Sequence, residues 1–117
     1  MYSFLSAGTL EIKSLVILDQ RYLRLQVETG NRPCGAIDFI AGKINFNISS
    51  GTFIFKGMEH IKDITFEYKA GNLVFIFSNT KTLSVECRMD FFEKISAHIE
   101  TYSQANNHQA KDFFSNN

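Results

Sequence analysis

Ile64-Thr65-Phe66-Glu67-Tyr68, Leu73-Val74-Phe75-Ile76-Phe77 and Leu83-Ser84-Val85-Glu86-Cys87 are joined by Lys69-Ala70-Gly71-Asn72 and by Ser78-Asn79-Thr80-Lys81. Together they read as three antiparallel strands in succession. In the first, Ile64, Phe66 and Tyr68 alternate with polar neighbours, so one face is apolar and the other wet. The third repeats the pattern with Leu83, Val85 and Cys87. The middle segment has no polar face, and a strand apolar on both sides needs cover on both. The expectation is a meander lying between a second sheet beneath and a helix above.

A helix to supply that cover follows at once. Asp90 with Glu93 three residues on forms a capping box, and Phe91, Ile95, Ile99 and Tyr102 recur at helical spacing with Phe92 beside them. This predicts a helix over 91–103. Beyond it, residues 105–117 are polar and amide-rich, apart from Phe113 and Phe114, and read as a frayed tail. Residues 1–104 are then one domain, as the length of 117 implies.

Upstream, the same reading yields five more strands. Residues 9–18 change phase at Ser14, which implies a bulge or a break. Residues 22–28 alternate cleanly, with Leu23, Leu25 and Val27 inward. Thr29-Gly30-Asn31-Arg32-Pro33 is a run of turn formers and reads as a loop. Strands over 36–40, 43–49 and 52–56 follow, separated by Ala41-Gly42 and Ser50-Gly51. Residues 57–63 read as a connector. Eight short strands with short connections exclude an α/β parallel sheet. The expected fold is mainly β: an antiparallel sandwich or partly open barrel of seven or eight strands, closed by the helix.

Composition narrows the function classes. Lys plus Arg equals Asp plus Glu at twelve each, so there is no basic excess for a broad nucleic-acid footprint. The twelve Phe fall mostly on inward phases and read as core, not as a base-stacking platform. The N-terminus has no secretory pattern, and no run reaches the ~18 apolar residues of a membrane span. The expectation is a cytoplasmic protein with no nucleic-acid or membrane partner. Cys34 and Cys87 read as two reduced, half-buried residues.

No constellation for catalysis stands out. The sequence lacks a Gly-x-Ser-x-Gly elbow, a phosphate-cradling glycine loop and Cys-x-x-Cys. Glu59-His60 with Asp63 has the residue types of a metal site but too few clustered ligands, and reads as a solvated loop. His98 reads as a ring packed at the core boundary, His108 as part of the tail. Asp38, between Ile37 and Phe39, falls on an outward phase and reads as surface. No catalytic residue, metal ligand or cofactor is assigned.

By elimination, a non-enzymatic binding module is favoured. In element order the chain resembles the pleckstrin-homology superfold, but it lacks the basic first hairpin that grips phosphoinositides there, so this likeness carries no function. In size and texture, over its whole length, it resembles the small immunity proteins of bacterial contact-dependent and other polymorphic toxin systems. That resemblance implies binding and blocking a cognate toxin domain. The zero net charge departs from the acidic face that immunity proteins against nucleases often carry. The implied contact residues are Tyr22, Arg24, Glu28, Arg32, Glu59, His60, Asp63, Glu67 and Lys69, because aromatic and Arg anchors flanked by charge are typical hot-spot material. The alternatives are a barrel holding a small apolar ligand, or a structural domain that oligomerises through an edge strand.

Overall fold

The computed structural model describes residues 9–51 and 53–104. The tail over 105–117, with His108, Phe113 and Phe114, lies outside the described residues. Eight strands form one sheet: β1 Leu10–Asp19, β2 Tyr22–Thr29, β3 Arg32–Ile40, β4 Lys43–Ser50, β5 Phe53–His60, β6 Thr65–Lys69, β7 Asn72–Ile76 and β8 Thr82–Glu86. A 3-10 turn, Ile61–Asp63, links β5 to β6, and one helix, α1, spans Met89–Gln104.

The strand order is β5-β4-β3-β2-β1-β8-β7-β6, so the sheet is open and not closed into a barrel. Two antiparallel meanders, β1–β5 and β6–β8, meet at a single parallel pair, Glu11 with Glu86. Thr9 Oγ1 donates to Glu86 Oε2 at 2.9 Å at the same junction. The sheet folds over on itself there. Phe39 and Phe46 of the first wing meet Phe66 and Phe75 of the second, with Phe46–Phe75 centroids 5.3 Å apart in an edge-on contact. Such tilted and edge-on pairs satisfy the ring quadrupoles and add to the area they bury. Leu25, Ile37, Phe39, Ile44, Ile48, Leu73, Phe75 and Val85 are fully buried in this one core.

The helix enters the same core. Ile95 and Ile99 have no exposed surface, and Phe92 stacks on Tyr68 with centroids 4.3 Å apart. This corrects the expectation that β7 is covered on both sides. Leu73 and Phe75 point inward with the helix, whereas Val74 and Ile76 on the outer side are only half-buried. Their flanks are cross-strand neighbours, Glu67 and Ser84 beside Val74, Thr65 and Thr82 beside Ile76. Side-by-side strands supply the shelter, and no second layer is required.

Three further expectations change. The run 29–33 is a two-residue hairpin turn: Gly30 and Asn31 take φ of 58° and 66°, and Thr29 pairs with Arg32. Twin positive φ values match the twist of the flanking strands. Pro33 lies inside β3, where the ladder shifts register between Val27 and Glu28. Residues 57–60 continue β5 as an edge strand and are not a connector. Asp90 is not the cap, because the helix begins at Met89 and the Asp90 carboxylate instead receives the Arg88 guanidinium at 2.6 Å. That contact holds the carboxyl below its usual range. The phase change at Ser14 is a register shift between Ile12 and Ser14, as read.

His98 lies edge-on to Phe39 at 5.9 Å, and its buried Nε2 has no hydrogen-bond partner. Burial lowers its pKa from the ordinary value of 6.5. Below that value the unfolded chain binds a proton that the folded chain resists, so stability is full above it and declines as pH falls toward the folded value. Urea unfolding at pH 7 and pH 5 is expected to show this loss. In His98→Phe the loss between the two pH values should be smaller, since the buried imidazole no longer takes part.

Candidate functional site

The outer side of β2–β5 is the face on which the chain places its ordered polar side chains. The ladder registers align Val16, Arg24, Asp38, Asn45 and Met58 in one row across five strands. A second row runs through Tyr22, Ile40, Lys43 and His60. Each follows from the period of two that turns the intervening residues into the core.

At the centre lies a three-residue cluster. Arg24 Nε donates to Asp38 Oδ1 at 2.8 Å and its Nη2 to Oδ2 at 3.1 Å, a two-point clamp. Tyr22 Oη donates to Asp38 Oδ2 at 3.3 Å and accepts from Arg24 Nη2 at 3.0 Å. Asp38 is therefore 7% exposed although it points away from the core. This corrects its reading as a surface residue: Arg24 and Tyr22 lie over it. The carboxylate contact raises the Arg24 pKa further, first by hydrogen bonding and then by charge. The guanidinium is fixed, yet the Arg24 side chain keeps 41% of its exposure. A planar cation held in one orientation beside a tyrosine ring is preorganised for contact.

The two ends of the cluster are unequal. Arg24→Ala strands a buried carboxylate with one long hydrogen bond, whereas Asp38→Ala frees a guanidinium that swings into water. Arg24→Ala is expected to cost about 2–3 kcal/mol and Asp38→Ala about 1 kcal/mol, discounted for the exposed side of the pair. The double variant should lose less than the sum of the two. Urea titrations of the three variants check the order.

The same face carries apolar surface on β5, where Met58, beyond Asn45 in the Arg24–Asp38 row, is 55% exposed and Ile54, opposite Ser49, is 63% exposed. Of the nine residues picked from the sequence, Tyr22, Arg24 and His60 share this face. Glu28 stands at its far end, by the 30–31 turn, whereas Arg32 pairs with Thr29 on the opposite phase. Glu59 lies on the inward phase of β5 opposite Ile44, and Asp63 is in the 3-10 turn. Glu67 and Lys69 occupy the outer side of β6, on the other wing and across the core. Two sets therefore face opposite ways. Sequence reading missed Asp38, Ile54 and Met58.

Among the described residues, no three His, Cys, Asp or Glu side chains are placed to hold a metal ion. Cys34 and Cys87 are free thiols, and burial pushes both up, Cys87 to about 11. Such thiols are poor nucleophiles at neutral pH. No helix of the described residues is long and apolar enough to cross a membrane. The fold and the face define a mainly-β domain that presents an ordered sheet surface. No protein family, curated protein or solved structure matches the chain.

Proposed function

We propose that the chain is a protein-binding module of the toxin-immunity kind, which holds a cognate toxin domain against the outer face of β2–β5 and blocks it. The observation that carries this reading is the clamped Tyr22–Arg24–Asp38 cluster on a face that also exposes Met58, in the same ladder row, and Ile54 further along β5. Fixed Arg and Tyr anchors bordered by apolar side chains are the composition of interface hot spots. The apolar-ligand alternative finds less support. A ligand in the interior would displace the Phe39, Phe46, Phe66 and Phe75 rings from one another. The cleft at the rim, between β5 and the turn after β7, holds about 220 Å³, and the one of about 320 Å³ beside the β1–β8 junction is lined by Glu11, Asn72, Glu86 and Arg88, not by the apolar walls such a ligand needs.

The partner to test is the variable C-terminal domain of a large secreted protein encoded beside this chain. A one-to-one complex that abolishes the toxicity of that domain is expected. Met58→Glu should weaken it, and Glu67→Lys on the opposite side should not. Failure to associate at about micromolar concentration rejects the reading.

A further inference from the structure

We infer that the partner held on the outer face of β2–β5 presents a carboxylate-rich protein surface, which Arg24, Lys43 and Lys56 attract and orient; this rests on the binding-module reading above. The charges of the face are sorted by sign. Lys43 stands opposite His60 in one ladder row, Arg24 lies in the next, and Lys56 follows in the row through Gln26, Ala36 and Asn47. At spacings of about 4.8 Å between strands and about 3.4 Å along them, the three cations lie within ~16 Å of one another. Lys43 and Lys56 are exposed, and among the described residues neither has an ion-pair partner. Asp38 does not cancel them. Its carboxylate is taken up by Arg24 and lies beneath it, 7% exposed, so the guanidinium is what the clamp shows to a partner.

The anions gather elsewhere. Past Gln26 on the same side of the sheet, Glu28, Glu11 and Glu86 stand side by side on β2, β1 and β8. Their row sets a boundary, because an anion that covers the three cations is repelled if it extends that far along β2. A nucleic acid carries phosphates along its whole length and would run over that row or off the sheet. The zero net charge of the chain gives it no wider basic field to follow. A protein can confine its carboxylates to a patch of this width. Met58, in the row of Arg24 and Asp38, adds apolar contact for which a phosphate backbone has no use.

Stopped-flow association of the full chain with the variable C-terminal domain encoded beside it, between about 0.01 M and about 1 M salt, reads the result. Lys43→Glu and Lys56→Glu are each expected to slow association about tenfold at low salt. At about 1 M salt, where the screening length is ~3 Å, the variants and wild type should converge. Lys69→Glu makes the same change in net charge on the other wing and should associate like wild type. All three lysines are exposed, and unchanged circular dichroism spectra are expected. A complex that forms at one rate whatever the charge at positions 43 and 56, or one slowed equally by Lys69→Glu, overturns the inference and leaves the binding-module reading standing. No complex at all rejects both. Tight binding of a single-stranded DNA of about 20 nucleotides, lost in Lys43→Glu and Lys56→Glu, makes a nucleic acid the occupant and overturns the inference too.

Discussion

Gly35→Ala is expected to lose about 3 kcal/mol or more, from strain in a backbone region reserved for glycine together with overpacking. Gly35 has φ of +145°, and a Cβ there would lie 1.9 Å from the carbonyl oxygen of Asn47 on β4. That oxygen belongs to the main chain of a ladder partner, so β3 and β4 must separate to admit a methyl group. Gly57 provides the control. Its φ is +157°, but no atom lies within 4 Å of the position a Cβ would take. Gly57→Ala then carries the conformational cost alone, about 1–3 kcal/mol. Urea unfolding of both variants tests the distinction. Equal losses would show that the close approach to Asn47 is relieved without cost.

The second large effect is expected at Phe75. Its ring touches Phe66 at 5.5 Å, Phe46 at 5.3 Å and Phe39 at 6.5 Å between centroids. Like Phe46 it meets three other rings across both wings, and it is fully buried. Phe75→Ala removes transfer free energy and leaves a cavity whose walls belong to two meanders. The expected cost is about 3–5 kcal/mol, against a total of about 5–15 kcal/mol for a domain. Phe53→Ala, at the half-buried end of β5, should cost clearly less. Thermal and urea unfolding should rank the two; a near-equal loss would mean that the rings on the rim carry the core as much as its centre does.

The alternating strands were legible because one of their faces is wet. Residues 22–28 and 43–49 appear in the structure within a residue of the expected bounds, and the helix within two. Residues 57–60 were not legible. On a rim strand the inward positions fall beside the end of the core, so Gly57 and Glu59 occupy places where a central strand would put apolar side chains. The double apolar face of residues 73–77 misled for the opposite reason: Val74 and Ile76 are sheltered by lateral neighbours and do not report a covering layer. The site was hidden by one residue. Counting back from the Gly30-Asn31 turn pairs Glu28 with Pro33, and without interruption would set Arg24 against Ile37. The register shift inserts Cys34, and only then does Asp38 stand opposite Arg24. Nothing in the residue types alone announces that insertion.

The two meanders are joined through the ladder by one parallel pair that sets Glu11 beside Glu86, two acidic residues 75 positions apart. Among the described residues every other strand pairing is between neighbours in the chain. Each wing can therefore zip up from local turns, while its union with the other depends on interleaved aromatic rings and not on a shared line of hydrogen bonds. Cohesion between the halves accordingly has the thermal signature of apolar burial: it weakens on cooling, and the seam, not the strands, is where cold would first part the molecule.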